Sequence, residues 1–496
     1  MSNRPSSPSS RGPRPAPAGK QRRALSMPRA PGRIDADGDR RVAEGLVTAL
    51  RAAALDDVVA DSLTHPVHSY PARMHPATVR VLVEIVADAM PRDSVLVDPF
   101  CGSGTTLVEA RAAGLRTMGI DLNPLAVLLA RAKTWIVPSK SRARLRLAGR
   151  SIGGEALMAG KEARRSGGAA TTKRAPAGFD PNARDRRIGK WFAPHVRREL
   201  EDLAMRIDEV RQKDPELADV LMVPLSSILY KVSSRTSDTN PEWVARNIGR
   251  GQCARLFSER VEMLSAGLDD LYKAFGRATV RGAGGPPDVH LADARRLTEF
   301  IPAGRTGGIV TSPPYAGTYD YAEHQRLRFD FLGLRHREFD DGEIGSRRSF
   351  ATGTTGERKW RTALAETLDS FALALAPGAR AAIVIGDSFA GGRATYALDD
   401  VRGALSDAFY IEAWASQERP MLGAGERKAF GERPKAEHAI VLRRRDTAVT
   451  TGANPTTGPT GPTPPPRREP APPRRHEASD APTTPRARPA GPRRRS

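Results

Sequence analysis

The chain has 496 residues, a formal net charge of +21 and two cysteines, Cys101 and Cys253. This length accommodates two or three domains with a sizeable core, whereas two cysteines form neither a disulfide framework nor a zinc cluster, which is typical of a reducing cytoplasm. Because no apolar run reaches about eighteen residues and no signal-peptide pattern occurs, the sequence predicts neither a membrane protein nor a secreted one.

Much of the positive charge lies at the two ends of the chain. Residues 1–35 carry a net charge of +7 and residues 447–496 carry +6, which leaves +8 of the total +21 for the central part. Both ends are rich in Pro and Arg and lack apolar periodicity, so we predict disordered basic tails over residues 1–36 and 446–496. Such tails either bind a polyanion or are simply solvated.

The chain between the first tail and the first strand is predicted to be helical and then irregular. Apolar positions at helical spacing predict an amphipathic helix within residues 38–63. Residues 65–76 contain three histidines and several prolines, and a second helix is predicted for residues 77–90. No carboxylate spacing that suits a metal accompanies the histidines, so we predict no metal site.

A strand, a glycine turn and a helix follow at residues 94–113. The strand ends at Asp98, and Gly102 and Gly104 allow the backbone to approach a ligand beside the free N–H groups of a helix N-terminus. The next strand ends at Asp121, where a carboxylate is placed to bind ribose hydroxyls. The third glycine of the dinucleotide fingerprint is missing and no lysine follows, so neither that fingerprint nor a phosphate-binding loop is present.

The middle of the chain changes character twice. Residues 136–190 contain fourteen Lys or Arg against four acidic residues and are rich in Ala and Gly, which predicts a flexible basic insertion that could contact phosphates. Residues 191–285 show helical spacing and form the candidate region for target recognition. Within them, the hydroxyl- and amide-rich residues 231–240 suit phosphate or base edges, or equally a plain loop between helices.

A short buried strand from Gly308 to Thr311 stops at two prolines and an aromatic residue. Such an ending suits a planar base with an exocyclic amino group. The Ser312 hydroxyl and the Pro313 carbonyl would accept its two N–H bonds, and Tyr315 would stack on its ring. The alternative is a strand-ending turn with a buried tyrosine.

The last third of the chain is predicted to complete the sheet. Residues 319–331 either line the mouth of a base pocket or pack as a helix, and residues 340–361 are predicted to be a mobile loop. Three further strands are predicted at residues 381–387, 410–414 and 438–442.

Three motifs resemble those of the S-adenosylmethionine-dependent DNA amino-methyltransferases: VDPFCGSGTT at residues 97–106, GIDLNP at residues 119–124 and TSPPY at residues 311–315. The resemblance covers most of residues 65–445. In that family the serine form SPPY is usual among cytosine-N4 enzymes, and the form DPPY among adenine-N6 enzymes.

The resemblance implies an α/β fold: a doubly wound, seven-stranded, Rossmann-like methyltransferase sheet with the last strand antiparallel, an inserted helical domain and disordered basic tails. The predicted division of the chain is a tail (1–36), the cofactor-binding part of the core (37–135), a flexible basic insertion (136–190), a helical insertion (191–285), the SPPY-containing part of the core (286–445) and a second tail (446–496).

The resemblance also implies the cofactor, S-adenosyl-L-methionine, and the residues of the site. The segment at residues 70–76 is similar to the one that closes over the methionine end of the cofactor. The implied cofactor-binding residues are Asp98, Phe100, Gly102, Gly104, Thr105, Thr106, Asp121, Asn123 and Asp293, and the implied catalytic residues are Ser312, Pro313, Pro314 and Tyr315. One departure is that the recognition region of such enzymes usually lies between the third strand and SPPY, whereas this large insertion precedes that strand.

The implied function is site-specific methylation of the exocyclic amino group of a flipped-out base in double-stranded DNA, first of all cytosine N4. The alternatives are an adenine-N6 enzyme, an RNA methyltransferase of the guanine-N2 type and a non-catalytic DNA- or cofactor-binding protein. A cognate restriction endonuclease is the candidate protein partner. The expected location is the bacterial cytoplasm at the nucleoid, and the oligomeric state is not indicated.

Overall fold

A computed structural model describes residues 32–56, 58–165, 188, 191–235, 243–278, 288–350 and 354–446. Most of both predicted tails therefore lies outside the described residues. The strands are Ile34–Gly38 (β1), Val95–Asp98 (β2), Arg116–Asp121 (β3), Asp288–Leu291 (β4), Thr306–Thr311 (β5), Leu375–Gly386 (β6), Ser388–Ala390 (β7), Arg393–Thr395 (β8), Phe409–Glu418 (β9) and Ala436–Arg444 (β10).

Eight of these strands form one sheet in the order β1-β9-β10-β6-β5-β2-β3-β4, and β7 and β8 form a separate hairpin. The five strands from β6 to β4 are parallel, while β10 is antiparallel to both of its neighbours. The chain order reverses between β2 and β5, so the crevice for a ligand is expected beyond the carboxyl ends of these two strands. The predicted doubly wound sheet is confirmed, including its antiparallel last strand.

The sheet has one strand more than the seven predicted. The additional strand, β1, pairs antiparallel with β9 and lies at the edge of the sheet. It begins at Ile34, inside the stretch that we predicted to be a disordered tail. The sequence Ile-Asp-Ala-Asp-Gly lacks an apolar face and is mostly exposed, so this strand is held by backbone pairing that side-chain periodicity does not reveal.

The α-helices run over Arg40–Leu55 (α1), Pro76–Ala87 (α2), Thr105–Ala112 (α3), Pro124–Lys133 (α4), Ser139–Arg165 (α5), Pro194–Arg211 (α6), Pro215–Val232 (α7), Gln252–Ala278 (α8), Tyr321–Leu332 (α9), Arg337–Gly342 (α10), Arg347–Phe350 (α11), Thr354–Ala374 (α12), Ala397–Ala404 (α13) and Ala424–Ala429 (α14). Helices α1 and α2 cover one face of the sheet, with Leu96 and Val310 beneath them. Helices α12 and α13 cover the other face, against Val97 and Ile309. Both faces are thus buried, as parallel sheets require.

Helices α5 to α8, together called the helical insertion from here on, share an apolar core that continues into α4 and α9. The prediction of a flexible insertion over residues 136–190 is wrong for α5, which is helical throughout its 27 residues. Leu145, Ile152 and Ala156 form its buried stripe, and Gly149 brings α5 against α8, because an added Cβ there would lie 2.4 Å from Val261 Cγ1. The composition did not reveal this packing, because Arg and Gly together outnumber the Leu, Ile and Met residues of α5.

The prediction of a mobile loop over residues 340–361 is also wrong. Residues 340–361 include the end of α10, all of α11 and the first turns of α12, which begins at Thr354. Phe350 and Trp360 are buried in the core beneath the second face of the sheet. Because the neighbouring side chains are polar, the sequence did not indicate that these two aromatic residues anchor the segment in the core. No helix among the described residues has the length and apolar character needed to span a membrane.

Candidate functional site

A cleft of about 720 Å³, including its open mouth, lies at the carboxyl edge of the parallel strands. Its lining includes residues from the glycine turn, from the ends of β3, β4 and β5, and from the segment that precedes α2. The predicted site residues found in the lining are Phe100, Gly102, Asp121, Asp293, Ser312 and Pro314. The fold therefore brings the glycine turn and the SPPY motif, which are about 200 residues apart in the sequence, to one cleft.

The glycine turn owes its shape to two residues in the left-handed region. Gly102 has a φ of 49° and Gly104, the residue before α3, has a φ of 80°. A side chain at Gly104 would also press on α4, because an added Cβ would lie 3.0 Å from the Cα of Ala130. Thr105 and Thr106 begin α3 and are buried behind the turn. The turn thus presents backbone rather than side chains to the cleft.

Asp121 organises the turn from the end of β3. One of its carboxylate oxygens accepts a hydrogen bond from the Gly102 N–H and the other from the Asn123 N–H, both at 2.8 Å. Burial raises the pKa of Asp121 to about 6. Each oxygen retains a free acceptor position, as ribose hydroxyls would require. Asn123 does not line the cleft; it caps α4 and donates to the hydroxyl of Tyr70.

Asp98 occupies a different position from the one predicted. It is buried beneath the turn, outside the cleft lining. Its Oδ1 accepts hydrogen bonds from the Phe100 N–H at 3.2 Å and from the Thr311 hydroxyl at 2.7 Å. Burial raises the pKa of Asp98 to about 6. Asp98 thus ties the end of β2 to the end of β5, the two strands that carry the motifs.

Asp293 lines the cleft at the end of β4 with its carboxylate already engaged. It accepts from the Arg295 N–H at 2.9 Å and pairs with the Arg295 guanidinium at 2.6 Å. Although burial alone would raise the pKa of Asp293, the hydrogen bonds from Arg295 hold it below its ordinary value. A carboxylate oxygen accepts more than one hydrogen bond, so an additional donor such as an adenine amino group is chemically compatible with this pair.

The SPPY motif is divided between the cleft and the interior. Ser312 and Pro314 line the cleft, whereas Pro313 is buried. Tyr315 is not in the lining; its hydroxyl donates to the Glu437 carboxylate at 3.0 Å. The Pro314 carbonyl accepts from the Trp360 indole N–H at 2.9 Å. A second, more open depression begins at Gly317 and Thr318, directly after the motif.

The outer wall of the cleft was largely missed by the sequence analysis. It is formed by Tyr321, Phe339, Glu343 and Ile344, which lie at the start of α9 and around α10. The Glu343 carboxylate accepts from the Tyr321 N–H at 2.6 Å and pairs with Arg348 at 3.4 Å. The signal in the sequence was weak: Phe339 and Ile344 are isolated apolar residues in a polar stretch.

The segment before α2 lies against the glycine turn, where Tyr70, Pro71 and Ala72 line the cleft. Its three histidines are engaged with protein groups. His65 contacts the Glu109 carboxylate at 2.7 Å and His68 the Ser226 hydroxyl at 2.9 Å, and His75 caps α2. Burial lowers the pKa of His65 to about 4. No group of residues suited to hold a metal ion occurs in the described parts of the chain.

Cys101 is not suited to nucleophilic chemistry. Its side chain packs in a small apolar cluster behind the turn, and burial raises the pKa of the thiol well above its ordinary value. A neutral buried thiol is a small apolar residue rather than a nucleophile. The cleft therefore offers acceptors, backbone N–H groups and apolar walls, which fit a nucleoside-bearing cofactor better than they fit covalent catalysis.

Comparison with known proteins finds sequence similarity over the segment that contains the glycine turn. Residues 55–131 match the N6_N4_Mtase family model, described as DNA methylase. The type II methyltransferase M.MvaI of Kocuria varians is 47% identical over 79 residues, which cover 16% of this chain and 17% of that protein. M.MjaII of Methanocaldococcus jannaschii is 33% identical over 69 residues, 14% of this chain and 12% of that protein. The chain thus matches less than a fifth of the length of either relative.

Among solved structures, TrmN from Thermus thermophilus has 13% identity and a TM-score of 0.28, over 74% of this chain and 48% of that one. The rRNA methyltransferase aviRa from Streptomyces viridochromogenes has 14% identity and a TM-score of 0.28, over 79% of this chain and 94% of that one. Both are distant likenesses.

The sheet order and the cleft define a Rossmann-like methyltransferase fold. Over residues 55–131, which contain the glycine turn, the chain is similar to DNA amino-methyltransferases. The resemblance stated from the motifs is confirmed for this segment of the chain.

Proposed function

We propose that this chain transfers a methyl group from S-adenosylmethionine to the exocyclic amino group of a base in double-stranded DNA, with cytosine N4 as the preferred target. The observation that carries the proposal is the presence of Ser312 and Pro314 in the same cleft as Gly102 and Asp121. Cofactor and base would meet at this point. When bound, the cofactor supplies an electrophilic methyl group on a sulfonium.

The residues around the cleft have separate tasks in this proposal. Gly102 and Asp121 bind and orient the cofactor, and Asp293 accepts from its adenine. Ser312 and the Pro313 carbonyl accept the two N–H bonds of the target amino group, which draws its nitrogen towards a tetrahedral geometry. Held in this way, the nitrogen lone pair would face the methyl group that the cofactor would supply, and one amino proton would pass to solvent. No covalent intermediate with the protein is needed, and positioning supplies most of the rate.

The preference for cytosine depends on Ser312. The hydroxyl is neutral and both donates and accepts, whereas the aspartate of the alternative motif only accepts. The substrate is double-stranded DNA with the target base flipped out, because the amino group is inaccessible within the duplex. In this proposal the chain acts at the bacterial nucleoid, with a cognate restriction endonuclease as its candidate partner, and the helical insertion contributes to target recognition.

The test is methylation of double-stranded DNA and of total RNA by the full chain, followed by mass spectrometry of the nucleosides. We expect N4-methylcytosine from DNA. A product found only as N6-methyladenine would overturn the cytosine assignment, and a product found only in RNA would overturn the DNA assignment. The absence of any methylated product, with intact binding of the cofactor, would favour a non-catalytic protein.

A substitution at Ser312 tests the site itself. Ser312→Ala should reduce kcat by about a hundredfold, because the lost hydrogen bond strengthens in the transition state. Its affinity for the cofactor, measured by calorimetry, should match that of the wild type. Ser151→Ala, on the exposed side of α5, provides a matched control that should leave both quantities unchanged. An equally active Ser312→Ala variant would remove Ser312 from the reaction.

A further inference from the structure

The helical insertion exposes a large aromatic residue in an ordered arrangement. Arg235 contacts two indoles: its guanidinium carbon lies 4.7 Å from the ring centroid of Trp191 and 4.1 Å from that of Trp243. The centroids of the two tryptophan rings are 6.5 Å apart and their planes are tilted by 38°. We refer to Trp191, Arg235 and Trp243 as the Trp–Arg stack. An arginine over aromatic faces is held by cation–π attraction.

The exposed fraction of Trp243 sets it apart from the rest of the stack. Its side chain is 56% exposed, whereas Trp191 is half-buried and packs edge-on against Tyr230 at 5.9 Å. The stack holds Trp243 in place while leaving much of its surface accessible.

The backbone beneath the stack is fixed as well. Arg246 donates hydrogen bonds to the carbonyls of Tyr230, Lys231 and Arg235, at 3.0, 2.7 and 2.7 Å. A single guanidinium thus satisfies the carbonyls at the end of α7 and joins the two segments that carry Arg235 and Trp243. The stack is a built feature and not a side chain that happens to point outwards.

The stack is also connected to the wall of the cleft. The Tyr230 hydroxyl donates to the His324 carbonyl at 3.0 Å, and the Arg328 guanidinium lies 4.7 Å over the Tyr230 ring. His324 follows Tyr321, a lining residue of the cleft, by three positions in α9, a rise of about 4.5 Å. The same packed elements therefore present both the outer wall of the cleft and the exposed indole.

We propose that the Trp–Arg stack is a nucleotide-binding surface for the DNA substrate, on which an unstacked base lies against Trp243. This inference depends on the proposed function, because it assumes DNA as the substrate. The chemistry fits, because base–aromatic stacking tolerates any sequence and cations attract phosphates. The cations close to the stack in sequence are Lys231 and Arg246, which are partly exposed, and Arg250, which is exposed.

The test compares two exposed aromatic residues that each carry an arginine over the ring. Trp243→Ala removes the proposed stacking surface. Tyr272→Ala is the matched control: Tyr272 is 41% exposed with the Arg142 guanidinium 4.0 Å over its ring, but Arg142 is paired with Asp269 at 2.6 Å. The probes are a fluorescein-labelled single-stranded DNA oligonucleotide of mixed sequence, the corresponding duplex and an RNA strand of the same sequence, with anisotropy as the readout.

We expect Trp243→Ala to weaken binding of single-stranded DNA by about tenfold or more, and Tyr272→Ala to leave it unchanged. The dependence of affinity on salt should be the same for Trp243→Ala and the wild type, because stacking releases no counterions. Addition of DNA should also quench the wild-type indole fluorescence, and a Trp243→Phe variant should lack most of that quenching.

The outcomes separate this inference from the proposed function. If the wild type binds and methylates DNA while Trp243→Ala does so equally well, the nucleotide-binding surface is refuted and the function stands. Equal losses in Trp243→Ala and Tyr272→Ala would also refute it, because the effect would then be general. If the wild type binds and methylates RNA alone, both the function and this inference fail.

Discussion

The carboxyl edge of the sheet and the helical insertion are both well packed, but their residue types are explained by different physical requirements. At the sheet edge, the proposed function requires particular residue types. Gly102 and Gly104 adopt left-handed conformations, and Asp121 accepts from two backbone N–H groups. In the insertion, α5 to α8 pack through buried apolar stripes against one another and against α4 and α9. A functional site requires particular residue types, which are recognisable as a motif, whereas helix packing requires only an apolar periodicity that many sequences share.

The largest expected effect is a gain in the free energy of unfolding when the buried carboxylate of Asp98 is replaced by an amide. Asp98 is 2% exposed, and its folded pKa of about 6 lies above the ordinary value of 3.8. The folded protein therefore holds this proton more tightly than the unfolded chain, and the associated stability is present below pH 4 and lost as the pH rises to about 6. Asp98→Asn, which is neutral at every pH, should be more stable than the wild type at pH 7 by on the order of 2–3 kcal/mol.

Chemical denaturation at pH 4 and pH 7 measures this gap between the variant and the wild type. We expect the gap to be near zero at pH 4 and to open by pH 7, because an asparagine oxygen can still accept from the Phe100 N–H and the Thr311 hydroxyl. Asp121→Asn is the comparison. Both oxygens of Asp121 accept from N–H groups, so the NH2 group of an asparagine there would face one of these donors and the variant would gain less stability. A gap for Asp98→Asn that is equal at both pH values would show that its carboxylate is not destabilised by burial.

The same contrast explains what could be predicted from the sequence. The glycine turn and the ends of β3 and β5 were located correctly, because left-handed glycines and prolines have few structural substitutes. Asp98 was assigned to the cleft because its motif points there, but its carboxylate faces Thr311 beneath the turn. The outer wall around Phe339 and Glu343 could not be predicted, since it depends on tertiary contacts of a polar segment with α9.

The second expected effect tests whether α5 is packed as described. Gly149→Ala places a methyl 2.4 Å from Val261 Cγ1 and 2.9 Å from its Cβ, so α5 and α8 must separate. Overpacking of this kind costs about 1–3 kcal/mol, partly offset by the better helix propensity of alanine. We expect a net loss of about 1–2 kcal/mol in the free energy of unfolding.

Gly154 supplies the matched control on the same helix. It is exposed and an added Cβ would meet nothing within 4 Å, so Gly154→Ala should stabilise the protein by up to about 1 kcal/mol. The two substitutions should therefore have opposite signs in the same denaturation experiment. Stabilisation by both would mean that α5 does not pack on α8, and that the basic insertion is as flexible as its composition predicted.

The smallest expected effect lies where the sheet edge depends on a distant helix. Trp360 in α12 donates its indole N–H to the Pro314 carbonyl at 2.9 Å, but it does not line the cleft. Trp360→Phe keeps an aromatic ring in the core and removes this donor, so the motif loop should lose part of its fixed position. Under the proposed function we expect kcat to fall by about tenfold, roughly 1.4 kcal/mol, with the Kd for the cofactor unchanged. Trp414→Phe, on the half-buried side of β9, should leave both quantities unchanged. A parallel rise in Kd would instead show that Trp360 supports the whole cleft, and an unchanged kcat would show that the carbonyl needs no donor to hold Ser312 in place.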